Sequence, residues 1–255
     1  MAEQFNYDNF FSIGSQNTPP GSVRHSKYDF AVAYPDPDNL PLESLIESVR
    51  AGFEREGRDL AYYSSPAGDP ELRRLVADKL SRERNMKVTA DDMVLTSGSG
   101  EAIGIVIQAL TDPGDVVLVE EFVYLGTLNQ MKRYGADVVA VNCDDGGIIP
   151  ESLDSVITDQ TSKGKTVKYL YTIPMFQNPL GWTMDLERRK QVLEVTGKHG
   201  IPVFEDDCYA DLRFEGEAVT SFHSLDDTGR VVYVGSFSKI IAPGMRMGYL
   251  VAPRE

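Results

Sequence analysis

Four short stretches of this 255-residue chain carry side chains able to do chemistry together. The first is Gly235-Ser236-Phe237-Ser238-Lys239, directly after the apolar run VVYV, with Pro243-Gly244-Met245-Arg246 close behind. A lysine just beyond a strand, flanked by two hydroxyls and trailed by an arginine, suits imine formation with an aldehyde-bearing phosphate cofactor. Partial desolvation and cationic neighbours lower the amine's pKa, while Ser236, Ser238 and Arg246 can hold a dianionic phosphate. The alternative is a surface lysine in a polar turn, and the grouping around Lys239 argues against it. The second stretch is Glu205-Asp206-Asp207-Cys208-Tyr209, again at a strand end. A carboxylate there can pair with a protonated ring nitrogen, and the tyrosine hydroxyl can bond a phenolic oxygen. Three acids in a row also resemble a divalent-metal site, although no histidine lies nearby and no metal is expected. A solvated acidic turn is the plainer reading for at least one of Glu205 and Asp207.

In the third stretch, Asn178 precedes Pro179, which biases its backbone towards an extended form and lets its amide be aimed at a cofactor oxygen or a substrate carboxylate. Alone, Asn-Pro says only that the chain turns. The fourth is Thr96-Ser97-Gly98-Ser99-Gly100-Glu101, between a strand and a helix. Glycines let backbone N–H groups approach an anion, Ser99 adds a hydroxyl, and a helix N-terminus adds positive potential. The spacing of Gly98, Gly100 and Gly104 also resembles a dinucleotide fingerprint, with Glu120 placed as a ribose-binding acid.

The elements that must position these loops follow from periodicity. Residues 1–45 read as an irregular arm and part of a small domain. Helical spacing of Leu42, Leu45, Ile46, Val49 and Phe53 predicts a helix over 42–56, and a second fits 69–84. From residue 92 short β-rich runs at 93–96, 116–119, 138–141, 167–173, 201–204, 231–234 and 249–252 alternate with helical patterns at 101–110, 123–134, 151–157 and 185–199. This is the signature of an α/β fold, a mostly parallel sheet with helices on both faces, whose function sits at the carboxyl ends of the strands. Composition agrees with a packed globular chain: 42% of residues are hydrophobic and 25% charged. The formal charge of −14 removes the basic footprint of nucleic-acid binding. Two cysteines cannot build a disulfide framework, and no run is long and apolar enough for a membrane span, so a soluble, cytoplasmic chain is expected.

Taken together, Ser236-Phe237-Ser238-Lys239 with Arg246, Asp206 with Tyr209, Asn178-Pro179 and Gly98-Ser99-Gly100 resemble the fold-type I pyridoxal-phosphate enzymes, and within them the class I/II aminotransferases, over roughly residues 28–255. The resemblance implies pyridoxal 5'-phosphate as cofactor and amino-group transfer between an amino acid and a 2-oxo acid. It implies Lys239 as the lysine joined to the cofactor, Asp206 as partner of its pyridine nitrogen, and Tyr209 and Asn178 at its phenolic oxygen. Ser99, Gly100, Ser236, Ser238 and Arg246 would surround the phosphate. Tyr124 would stack on the ring, and Tyr63, with Tyr62 as its competitor, would reach the phosphate of the neighbouring subunit of a homodimer. Residues 46–255 would be the cofactor-binding large domain.

Two departures bear on this. The family's N-terminal G-x-P loop is Ala33-Tyr34-Pro35 here, and family members continue into a C-terminal domain carrying an arginine for the substrate's α-carboxylate, whereas sixteen residues follow Lys239. The chain as written is therefore expected to bind cofactor weakly and to turn over poorly unless another residue, such as Arg24, replaces that arginine. Two rival functions remain. An aminotransferase-like effector-binding module of a transcription regulator would need a DNA reader, for which the roughly 40 residues before the first helix, poor in Lys and Arg, leave no space. A nicotinamide-dependent oxidoreductase would use Gly98–Gly104 with Glu120 but leave Lys239, Asp206 and Arg246 without a role.

Overall fold

The computed structural model describes Asn6 and residues 33–253, so most of the expected arm, Arg24 included, lies outside the described residues. In chain order the helices and strands are α1 (Leu42–Glu56), α2 (Pro70–Arg84), β1 (Met93–Thr96), α3 (Ser99–Leu110), β2 (Val116–Glu120), α4 (Leu125–Arg133), β3 (Asp137–Val141), β4 (Cys143–Asp144), β5 (Gly147–Ile148), α5 (Pro150–Ser162), β6 (Val167–Thr172), α6 (Leu186–Lys198), β7 (Val203–Asp206), α7 (Phe222–Leu225), β8 (Val231–Ser236) and β9 (Gly248–Val251). Helix α1 runs across the expected boundary between arm and large domain.

Local chemistry explains several boundaries. Helix α2 begins where the Asp69 side chain accepts from Leu72 N–H at 2.7 Å with Pro70 in its first turn, and stops at Asn85 in the left-handed region, φ 53°. Helix α6 is capped the same way by Asp185, which accepts from Arg188 N–H at 2.8 Å.

Among the described residues one seven-stranded sheet runs in the order β1-β9-β8-β7-β6-β2-β3, and β4 and β5 form a separate ribbon. Strands β8, β7, β6, β2 and β3 are parallel. The expected mostly parallel sheet is thus present, with β9 antiparallel to both β8 and β1. The reason is covalent. Only residues 237–247 separate β8 from β9, too few to carry a helix back to the far end of the sheet, so the chain returns antiparallel.

Alternation along the strands puts apolar groups on both faces. On one face Val117, Val119, Tyr169, Tyr171, Phe204 and Val234 pack against α3 and α4 through Ile103, Ile107 and Met131. On the other, Val116, Leu118, Leu170 and Val203 meet Leu153, Ile157 and Val192 of α5 and α6, and Leu80 of α2 joins Met93, Tyr233 and Tyr249. Helix α1 buries nothing: Leu42, Ile46, Val49 and Phe53 are all exposed. No helix among the described residues is long and apolar enough to cross a membrane.

The register brings the chemistry to one edge. Ser236 pairs with Gly248, which pairs with Thr96, while Asp206 lies beside Val234 and Glu205 beside Thr172. Close approach at Gly248 joins α3 to this edge, because a Cβ there would lie 2.6 Å from backbone atoms of Gly98 and Ser99. Gly248→Ala should therefore lower stability by about 1–3 kcal/mol through forced backbone displacement, read as a lower urea midpoint with an unchanged slope.

Candidate active site

At that edge the carboxyl ends of β1, β6, β7 and β8 enclose a cavity of about 290 Å³. Of the residues singled out in the sequence, ten line it, including Lys239, Asp206, Tyr209 and Asn178, and Tyr63 does not. Tyr63 is fully exposed and Tyr62 nearly so.

Asp206 ends β7 on the cavity floor, 4% exposed. Its carboxylate accepts from the Tyr171 hydroxyl at 2.6 Å and from the Cys208 thiol at 2.7 Å. Burial pushes its pKa up, and these two hydrogen bonds oppose the shift by favouring the charged form. Tyr171 is held in turn by Thr127 at 3.1 Å. Across the cavity the half-buried Lys239 amine donates to the Ala33 carbonyl at 2.6 Å and lies 6.0 Å from the Tyr209 ring. Burial lowers its pKa, enlarging the neutral, nucleophilic fraction. Tyr209 receives a hydrogen bond from the Asn178 amide at 3.1 Å, and Asn178 precedes a cis proline.

A third group of cavity residues can hold an anion. Ser99 and Gly100 begin the twelve-residue helix α3, and Ser236 and Ser238 face them, the Ser238 N–H donating to Ser236 Oγ at 3.2 Å. Arg246, itself in the left-handed region, is fixed by a 2.8 Å bond from its guanidinium to the Ser97 carbonyl. The φ of 82° at Gly98 requires glycine there, and a Cβ would also displace that guanidinium. Helix dipole, hydroxyls and guanidinium together match a phosphate dianion. Tyr124 caps α4, and its ring folds back over Gly126, where a Cβ would run into it.

Two expectations fail. Neither Glu205 nor Asp207 belongs to a solvated turn: the former is fully buried and the latter 7% exposed. Strand alternation turns both to the face opposite the cavity. There Glu205 accepts from the N–H groups of Phe222 and His223 at 2.9 and 3.0 Å, with Arg189 at 3.7 Å. Burial, together with the Asp207 charge, still pushes its carboxyl up to about 7. Burial pushes the Asp207 carboxyl up, against the nearby Arg84 charge and the bond it accepts from Tyr233 at 2.8 Å. Nor is a dinucleotide fingerprint present. Among the described residues strand β1 pairs only with antiparallel β9, away from β2, so no parallel βαβ unit surrounds the glycines there. Glu120, 1% exposed, is bonded by Thr172, Ile173 N–H and Gln177 rather than open to a ribose. No cluster of metal-ligating side chains occurs among the described residues.

Cys208, Tyr171 and Thr127 were missed in the sequence. Tyr171 reads as one more core residue of an apolar strand, and only the sheet register reveals that its hydroxyl meets Asp206.

A family profile described as aminotransferase class I and II matches residues 30–255. The chain belongs to that family. Its members are pyridoxal-phosphate-dependent enzymes of fold type I, and the α/β architecture described above is theirs. Among class I and II relatives, aromatic-amino-acid aminotransferase 1 of Thermococcus litoralis is 32% identical over 98% of this chain and 62% of its own length. An archaeal alanine:glyoxylate aminotransferase superposes with a TM-score of 0.89 at 29% identity, covering 98% of this chain and 65% of that one. The kynurenine aminotransferase of Pyrococcus horikoshii, solved with PMP, kynurenine and its product, superposes with a TM-score of 0.85 at 32% identity, covering 97% and 63%. The chain thus spans just under two thirds of the length of these relatives.

The cavity amine sets a test. Treatment with pyridoxal phosphate at neutral pH, followed by borohydride and peptide mapping, should label Lys239 well ahead of Lys163, Lys165 and Lys168, which are engaged by Asp159, Asp137 and Asp115 at the surface. Even labelling of all four lysines would contradict a depressed Lys239 pKa.

Proposed function

We propose that this chain is the cofactor-binding part of an aminotransferase that moves an amino group between an amino acid and a 2-oxo acid. The observation carrying the reading is convergence. A lysine of lowered pKa, a buried carboxylate and an anion cradle face one another across a single cavity, as pyridoxal phosphate requires of its aldehyde, its ring nitrogen and its phosphate. The donor set fits the group at each of these three points, and the crystallised P. horikoshii relative, which carries PMP, supports the same cofactor here. The names of relatives matching over nearly the whole chain favour an aminotransferase over an effector-binding module of a regulator.

Each residue then has a task. Ser99, Gly100, Ser236, Ser238 and Arg246 would hold the phosphate, and Tyr124 would pack against the ring. Asp206 would hold the proton on the ring nitrogen, its charge supported by Tyr171 and Cys208. Tyr209 and Asn178 would donate to the phenolic oxygen. When bound, pyridoxal phosphate supplies an electron sink for the pair left at the substrate's Cα. Lys239 would serve as general base and then acid for the proton at the substrate's Cα.

A homodimer and a cytoplasmic setting belong to the same proposal. Supporting the first are the fully exposed Tyr63, suited to reach the phosphate of a neighbouring subunit, and the uncovered apolar side of α1. Supporting the second are two free cysteines.

Half-transamination followed by the cofactor's visible spectrum tests the roles. Lys239→Ala should lose the covalently linked band and slow the reaction by about 10²–10⁴-fold, the usual share of a positioned acid/base. Asp206→Asn should still bind cofactor but slow Cα proton removal about 100-fold, because an amide stabilises a ring cation poorly. Asp207→Asn should instead lower stability and leave the spectrum alone, since its side chain meets Tyr233 on the other face.

A further inference from the structure

The carboxylate of Glu120 takes no part in the reaction outlined above, yet it is wired to a residue that does. It ends β2, 1% exposed. One oxygen accepts from the Ile173 N–H at 2.9 Å and from the Thr172 hydroxyl, and the other accepts from Nε2 of Gln177 at 2.7 Å. Gln177, also 1% exposed, has every polar group committed. Its Nε2 donates a second time to the Phe122 carbonyl at 2.6 Å, its Oε1 accepts from Leu180 N–H at 2.8 Å, its N–H donates to the Trp182 carbonyl at 2.9 Å, and its carbonyl accepts from Gly181 N–H at 2.6 Å. The next residue is Asn178, whose amide donates to the Tyr209 hydroxyl.

This stretch, 174–184, has neither helix nor strand to stiffen it. Its two ends are clamped from the opposite side by the fully buried Arg189, which donates to the carbonyls of Pro174 at 3.0 Å and Met184 at 2.9 Å. Glu120 supplies the corresponding hold at the tip. Burial, with the Asp206 charge adding to it, drives the Glu120 carboxyl up to about 8 against the pull of its three hydrogen bonds. An apolar side chain of the same size would fill this space without that desolvation cost. What the carboxyl adds is direction, since its Oε2, an acceptor whether the group is ionised or protonated, fixes where the Gln177 amide points.

We propose that Glu120 is a positioning residue which, through Gln177, holds the Asn178 amide where it can donate to the cofactor's phenolic oxygen, and so sets that oxygen's proton affinity without touching the cofactor. The inference rests on the proposed function. A donor aimed at the phenolic oxygen favours its ionised form, so removing or misaiming it makes the proton shared with the Lys239 nitrogen harder to lose.

The experiment is a double-mutant cycle read by the pH midpoint of the visible absorption of cofactor bound to Lys239, with thermal unfolding followed in parallel. In Glu120→Gln, whichever way the new amide is turned, one N–H faces the N–H of Ile173 or of Gln177, so the brace is broken at nearly constant volume. The midpoint should rise by about one pH unit, in the direction shown by Asn178→Ala, and the double variant should rise no further than Asn178→Ala alone. Gln177→Met cuts the same bridge from its other end and carries the cycle if Glu120→Gln does not fold. A lowered melting temperature with an unmoved midpoint would reduce Glu120 to a structural role and overturn the proposal. Additive shifts would also overturn it, by showing that Glu120 acts through Asp206 instead. Absence of the visible band in the unmodified chain would remove the proposed function, and the brace with it.

Discussion

Negative charge taken out of water at the end of β7 is the constraint around which this structure is arranged. An ionised carboxylate without partners costs several kcal/mol in a protein interior, and here three consecutive carboxyl groups are buried. Strand alternation divides the burden. Asp206 turns towards the cavity, where Tyr171 and Cys208 supply donors, and Glu205 and Asp207 turn away, where Tyr233 and the first N–H groups of α7 supply donors and Arg189 and Arg84 supply opposite charge. The helices on both faces are thereby committed. Helix α6 must bring Arg189 to zero exposure, and α2 must end with Arg84, which also reaches Asp211 at 2.7 Å in the turn after Tyr209.

Charge on one side of the cavity is answered by the opposite sign on the other. Arg246, Lys239 and the start of α3 gather positive potential beside a carboxylate floor, so a ligand with an anionic end and a cationic ring is oriented by the field before any close contact forms. The two glycines that permit this, Gly98 and Gly248, act by absence of a Cβ: one admits the guanidinium and the other admits the helix.

Much of this arrangement was legible in the sequence because its signals are local. Lys239 with its two serines, Asn178 with its proline and the glycines before α3 each occupy one loop, and apolar periodicity places those loops after strands. What escaped depends on pairing across the sheet. Whether Glu205 faces solvent or Arg189 is decided by a residue distant in the chain, and Tyr171 belongs to the site only because β6 lies beside β7 in the observed register. The antiparallel course of β9 likewise follows from the length of its connection. Glu120 misled for the same reason: an acid at a strand end looks available until the loop that covers it, 174–184, is seen.

The position of β9 has a consequence for how the molecule comes into being. Strand β1 is made early, but among its described neighbours it pairs only with β9, the last strand of the described chain. A ribosome must therefore release residues 248–251 before Ser99 and Gly100 can be drawn alongside Ser236 and Arg246. Until then the apolar edge of β8 and the whole of β1 wait unpaired, an interval in which nascent chains are open to misassociation. The anion cradle therefore forms only once β9 has been made, and its occupation marks a chain whose synthesis has passed residue 251.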